Sequence, residues 1–165
     1  MSDESSEPST GQKVDQVWET PSHDEIVELT KAHVGAMEIM GEDVVWVQAG
    51  MHHVLLHTVG RKSGNEHKVA LPFWRDADGH RIVVASFAGA KAHPSWFFNL
   101  ETTPRVRVKS QTNEFWSEAE VLHSDDRATV WAGLTADRAW YVDYQARTDR
   151  QIPLVRLPET QLIAE

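Results

Sequence analysis

The residues in this chain whose types and spacing best suit chemistry are Arg61, Lys62, Ser63 and Gly64, which follow an apolar run to Val59 and a turn residue at Gly60. Arginine supplies a planar fork, lysine a point charge, and successive backbone N–H groups in a turn a concave nest, so the four together suit phosphate or carboxylate. A Walker-type phosphate loop is excluded, because Arg61 stands where that motif needs a glycine before the lysine. On these residues alone, a hairpin turn with solvated charges is the plain alternative.

A second group lies near the C-terminus. Tyr141 and Tyr144 are three apart and share a face if the segment is helical, with Arg147 and Arg150 following. A phenol with a pKa of about 10 is protonated at neutral pH and can donate a proton or hydrogen bond to a developing oxyanion. The alternative is that these rings only cover a core. Between the two groups, a strand ending at Ser86 leads into Ala88, Gly89 and Ala90, which let a ligand approach the backbone. Pro94 then opens a short helix with Trp96, Phe97 and Phe98, where Trp96 offers an aromatic wall or simply core. His53 and His57 alternate onto one strand face beside His52, but no third ligand stands at a diagnostic spacing and no HExxH occurs, so no metal site is expected.

These side chains need a scaffold of short strands. The pattern predicts strands at 44–47, 53–59, 68–74, 81–87, 106–109, 114–122 and 152–157, with the DADG turn at 76–79 closing a hairpin. About seven strands in hairpin order imply antiparallel pairing and a mainly β (α+β) barrel with a few peripheral helices. Ahead of them, Ser22 and Glu25 have capping-box spacing for a helix with Ile26, Leu29, His33, Met37 and Met40 along one face, ended by Gly41. His33 reads there as a packing residue. Residues 1–20 are acidic and serine-rich and are expected to form a disordered tail, leaving 21–165 as one domain.

Composition narrows the function. The net charge is −9 over 165 residues, yet residues 51–113 carry nine bases against four acids, so the cradle lies in the one basic segment. An acidic protein with a local basic region suits a small anionic ligand and repels nucleic acid. Cysteine is absent, no apolar run reaches a membrane span and no signal peptide is visible, so a cytoplasmic location without stable membrane insertion is expected. Exposed tryptophans leave monomer and homodimer both open.

Three blocks together resemble the deazaflavin (F420)-dependent nitroreductase family of split β-barrel, FMN-binding-protein-like oxidoreductases. They are Thr58 with residues 60–64; then Ala85, Ser86, Gly89, Pro94, Trp96, Asn99 and Leu100; then Tyr141, Asp143, Tyr144, Gln145, Thr148, Arg150, Ile152 and Pro153. The similarity runs from about 55 to 157. It implies that coenzyme F420, rather than FMN, is held by Arg61, Lys62, Ser63, Gly64 and Lys68. Its ring would lie near Val69, Ala70, Leu71, Ala85, Ser86, Gly89, Pro94, Trp96 and Asn99. It further implies hydride transfer to an electron-poor small molecule such as a quinone, an activated alkene or a nitroaromatic. Tyr144, Tyr141 and Ser86 would act as proton donors or hydrogen-bonding partners. A non-catalytic F420 carrier and an FMN enzyme of the same fold are the alternatives. The chain departs from the family where Phe87 and Ala88 replace a common Gly-Gly or polar pattern, and where Arg138 and Trp140 would reshape the pocket mouth.

Overall fold

The computed structural model describes residues 11–163. The N-terminal helix α1, His23–Ile39, opens with the expected reciprocal cap: the Ser22 hydroxyl accepts from the Glu25 N–H and the Glu25 carboxylate accepts from the Ser22 N–H. A single helical turn follows, α2 (Asp43–Trp46), and then the strands β1 (Val47–Gln48), β2 (Met51–Val59), β3 (Glu66–Pro72), β4 (Trp74–Arg75) and β5 (Arg81–Val84). Helix α3 (Ser95–Thr102) precedes β6 (Arg105–Lys109), β7 (Glu114–Glu118) and β8 (Glu120–Val121). Helices α4 (Ser124–Asp137) and α5 (Trp140–Ala146) lead to β9 (Leu154–Leu157) and β10 (Gln161–Leu162).

All pairings are antiparallel. One sheet runs β1-β2-β6-β7-β10 with β3 also on β2, and the other runs β4-β5-β9-β8. The fold is a split β-barrel with peripheral helices. Its interior joins both sheets through Val54, Leu56, Val83, Val106, Val108, Phe115, Val155 and Leu157, with Trp96, Phe97 and Leu100 of α3 closing one end. Each such side chain contributes about 1.5–3 kcal/mol by leaving water. The long central strand β2 is buried on both faces, because Leu55 meets Met37, Trp46 and Ala70 on the outer side.

The strand count rises from seven to ten for a physical reason. Two expected strands are cut where the chain passes between sheets: β3 ends at Pro72 before β4 joins the other sheet, and β7 and β8 part at Ala119, whose N–H bonds to Pro104 O at 2.9 Å; the tenth strand is β10, which pairs with β7 beyond the last expected strand. The expected strand at 44–47 is mostly α2. Val45 and Trp46 are adjacent yet both buried in the same cluster, which the alternation of a strand forbids and a helical turn allows. The strand expected at 81–87 stops at Val84, and that at 152–157 begins at Leu154. The 76–79 turn closes the β4–β5 hairpin, with the Asp76 carboxylate accepting from the N–H groups of Asp78 and His80.

Along α1 Met37 is buried and Ile26, Thr30, His33 and Val34 are half-buried, whereas Leu29 and Met40 are 61% and 44% exposed. Residues 1–10 of the expected tail lie outside the described residues. Its remainder is packed rather than free: Arg138 donates to the Gly11 and Gln12 carbonyls, Val14 N–H bonds to Asp137 O at 3.0 Å, and the Trp18 ring lies edge-on to Trp140 at 5.1 Å. The polar composition suggested nothing to bury, but these contacts are made chiefly through backbone atoms.

Candidate active site

The turn after β2 is shaped before any ligand arrives. Gly60 N–H bonds to Asn65 O at 2.7 Å and Gly64 N–H to Gly60 O at 2.8 Å, with Gly64 at φ +75°. A Cβ on Gly60 would lie 2.7 Å from His67 Nε2 and from Ser63 Oγ, so any other residue there must push those two side chains aside. Asn99 of α3, only 4% exposed, organises the cation: its Oδ1 accepts from Arg61 N at 3.2 Å and from Arg61 Nη1 at 2.9 Å, while its Nδ2 donates to Thr58 Oγ1 at 3.2 Å. Arg61 also lies over the Phe98 ring at 5.0 Å. Among the described residues neither Arg61 nor Lys62 has a carboxylate partner. Lys68 differs, because it is hydrogen-bonded to Glu38 of α1, which holds its ammonium pKa above the ordinary value.

From the cradle a cavity of about 830 Å³ runs between α1, β3, the 85–94 loop and α5. Of the residues singled out in the sequence, Arg61, Lys62, Ser63, Lys68, Val69, Ala70, Leu71, Ser86, Pro94, Trp96, Asn99, Tyr141 and Tyr144 all line it. Gly64, Ala85 and Gly89 do not, and serve through their backbones. Gly64 closes the turn and Ala85 offers its carbonyl to Arg150. A Cβ on Gly89, at φ +79°, would stand 2.5 Å from Tyr144 O. Trp140, expected at the pocket mouth, lines the wall, and so do Trp18, Pro21, Ile26 and Met51, which the sequence did not single out. Trp18 lay in the expected tail, and Pro21, Ile26 and Met51 carry no chemistry that singles them out.

Opposite the cradle, the 85–90 loop is bound to the tyrosine helix. Phe87, Ala88 and Gly89 all have positive φ (44°, 53° and 79°), which costs about 1–2 kcal/mol for each non-glycine residue. Two arginines offset this with charge-assisted bonds to carbonyls. Arg147 Nη1 donates to Ala88 O at 3.2 Å; Arg150 donates to Ala85 O at 3.1 Å, Ser86 O at 2.7 Å and Ala90 O at 2.8 Å. Ser86 is thereby fixed in the wall.

Tyr141 and Tyr144, the only tyrosines of the chain, are 4% and 8% exposed and meet in a T-shaped pair at 5.9 Å. Burial pushes the Tyr141 phenol above its ordinary pKa, opposed in part by nearby Arg138. Tyr144 Oη lies 3.3 Å from Thr20 Oγ1, and Arg147 stacks over its ring at 5.1 Å. The histidines are engaged elsewhere: His53 Nδ1 pairs with Met51 O at 2.9 Å, its ring faces His33 at 4.9 Å, and His57 Nδ1 pairs with Arg107 O at 3.2 Å. Among the described residues no three side chains gather into a metal-binding group.

Unpaired cations at one end, mostly apolar walls and two phenols at the other fit a flat, anionic redox cofactor with room beside it for a second ring. Fold and site together define a split β-barrel oxidoreductase of the flavin and deazaflavin class. The chain belongs to the F420H(2)-dependent quinone reductase family, whose sequence profile matches residues 29–159. This bears out the three-block resemblance and carries it back from residue 55 into α1; it makes the protein an F420H2-dependent reductase. An F420H(2)-dependent quinone reductase of Mycobacterium tuberculosis is 35% identical over 107 residues, covering 63% of this chain and 71% of that protein. Among solved structures, the F420-H2 dependent reductase FDR-A is 33% identical with a TM-score of 0.57, covering 64% of this chain and 93% of that one. A domain-swapped dimer is 28% identical with a TM-score of 0.60, covering 83% of this chain and 100% of that one.

Proposed function

We propose that this chain passes a hydride from reduced F420 to a quinone, using the cradle to hold the cofactor's anionic part and the tyrosine end to receive the acceptor. The observation that carries this is the placement of unpaired Arg61 and Lys62 and the two tyrosines at opposite ends of one apolar cavity. When bound, the reduced cofactor supplies the hydride. The remaining tasks fall to side chains.

Arg61, oriented by Asn99, and Lys62 bind phosphate and carboxylate, with Ser63 and Gly64 adding backbone donors. Val69, Ala70, Leu71, Pro94 and Trp96 give flat apolar walls that exclude water. Ser86 offers a hydroxyl within a loop that two arginines hold rigid. Tyr144 is the proton donor to the acceptor oxygen, and Tyr141, whose phenol is held protonated by burial, supports the same oxygen by hydrogen bonding. Because both phenols line the cavity, the catalytic reading stands ahead of a carrier that only stores cofactor. No helix among the described residues is long and apolar enough to cross a membrane. Action in the cytoplasm on a diffusible acceptor, by a monomer or a homodimer, completes the reading.

The test is a fluorescence titration with F420 and with FMN, followed by reoxidation of reduced F420 by menadione. Saturable binding of F420 alone with acceptor-dependent reoxidation is expected. Tyr144→Phe should lose about 10²-fold or more in turnover while F420 affinity holds. Binding without reoxidation by any quinone would favour the carrier, and parent-rate turnover in Tyr144→Phe would remove that residue from the mechanism.

A further inference from the structure

We propose that residues 11–21 form a fixed strap that gives this enzyme its acceptor preference, with Trp18 as the specificity-determining wall and Thr20 as the positioning residue for Tyr144. The proposal rests on the functional reading above for which end of the cavity takes the acceptor. Its physical basis is separate from the cradle.

The strap lies outside the part of the chain that matches the family, which begins at residue 29, yet it reaches the centre of the site. It is fastened at its start. Arg138, at the end of α4 and 1% exposed, donates from Nε to Gln12 O at 3.1 Å and from Nη2 to Gly11 O at 2.5 Å. Gln12 exchanges two hydrogen bonds with the Arg75 backbone, at 3.1 and 2.9 Å, and Val14 N–H bonds to Asp137 O at 3.0 Å. Asp137 and the Tyr141 phenol lie near enough to favour its charge, and its hydrogen bonds to the strap go to main-chain carbonyls. Such an arginine is placed to hold a segment down.

Beyond the anchor the strap supplies Trp18 to the cavity wall and Thr20 to the Tyr144 hydroxyl. The Trp18 ring meets Trp140 edge-on at 5.1 Å and 71°, and the two form an apolar corner continued by Ile26 and Met51. A corner of that shape rewards a flat fused-ring quinone, which reaches both indoles, over a single-ring quinone, which does not fill it. Thr20 Oγ1 is 3.3 Å from Tyr144 Oη, and its hydroxyl can donate as well as accept.

With Thr20 donating, the Tyr144 proton is free to face the cavity. Hydride addition delivers two electrons and one hydrogen and leaves a hydroquinone monoanion. The Tyr144 O–H bond then breaks as the acceptor O–H bond forms, and the tyrosinate, held by the Thr20 hydrogen bond, regains its proton from solvent. Thr20 touches the phenol oxygen and not the acceptor oxygen. It acts through Tyr144.

Two variants test the two halves on the full chain, with menadione as the fused-ring acceptor and 1,4-benzoquinone as the single-ring one. Trp18→Ala should raise KM for menadione about tenfold while KM for benzoquinone moves less than about twofold; equal changes for both, or none, would overturn the wall. Thr20→Val should lower kcat about tenfold with both acceptors at unchanged KM, and Thr20→Ser should recover most of the loss. Parent kcat in Thr20→Val, or a serine variant as slow as valine, would overturn the positioning role. A readout independent of turnover is menadione quenching of tryptophan fluorescence without F420: a quench weakened in Trp18→Ala upholds the wall, and an undiminished quench overturns it. Failure of the functional reading would look different, as a parent protein that neither binds nor reoxidises F420. A thermal unfolding curve close to the parent's confirms that each variant folds.

Discussion

Enclosed on β2 with the Met51 carbonyl as its partner, His53 must stay neutral in the folded protein. Burial is the main cause and brings its pKa from 6.5 to about 3; the Met51 hydrogen bond opposes the shift, and His33, Arg138 and His52 add to it. In the unfolded chain the ring takes a proton below pH about 6.5, and in the folded one it does not until about 3, so acidification favours unfolding across that window. At about 1.4 kcal/mol per unit, the loss near pH 4.5 is ~2–3 kcal/mol. Thermal unfolding at pH 7.5, 6 and 4.5 should show this decline in the parent and a shallower one in His53→Gln. A sequence does not disclose such a residue, since three histidines near one another read equally as surface, core or ligand. The turn at Gly60 with its two cations was legible because those residue types name their chemistry. Arg138 and Arg150 were noticed but their task was not, because they bind carbonyls, which every residue possesses.

Among the elements, the 85–90 loop and α5 form one unit, and the contact between them is narrowest at Gly89. An added methyl would meet Tyr144 O at 2.5 Å in a backbone conformation that L-residues avoid. Gly89→Ala should therefore destabilise by ~2 kcal/mol or more, displace Ser86 and Tyr144 from each other, and cut turnover more than F420 affinity. Thermal unfolding together with a fluorescence titration separates the two effects. Gly64→Ala, with nothing within 4 Å of the added atom but φ +75°, carries the backbone cost alone. Element type was readable where a local rule governs, as in the Ser22–Glu25 cap and the 76–79 turn. It was misread where tertiary packing decides. The run at 44–47 looks like a strand until Val45 and Trp46 are both needed in one cluster, and the stretch at 114–122 looks continuous until Ala119 turns between sheets. Thr30 faces inward in place of Leu29, so polarity misled along α1 as well; its hydroxyl donates to Ala70 O at 3.4 Å.

Over the whole molecule, charge works against itself. A net charge of −9 repels an anionic cofactor at long range, while in the proposed seat Arg61 and Lys62, free of carboxylates among the described residues, would attract it at short range. Screening lengths fall from about 8 Å at 0.15 M salt to about 3 Å at 1 M, so added salt first relaxes the distant repulsion and then weakens the cradle. F420 affinity should pass through a shallow maximum and fall several-fold by 1 M, whereas KM for neutral menadione stays level; Lys62→Gln should flatten the fall. The titration repeated across a salt series decides this. One consequence of the main-chain fastening at Gly11, Gln12 and Val14 concerns how such an enzyme diversifies. Residues 15–20 hang between that fastening and the Ser22 cap, so their side chains can be exchanged without disturbing either end. Evolution, or a library randomised over these six positions, has in this span an interchangeable part with which to recast the acceptor range while the barrel and its cofactor seat are inherited intact.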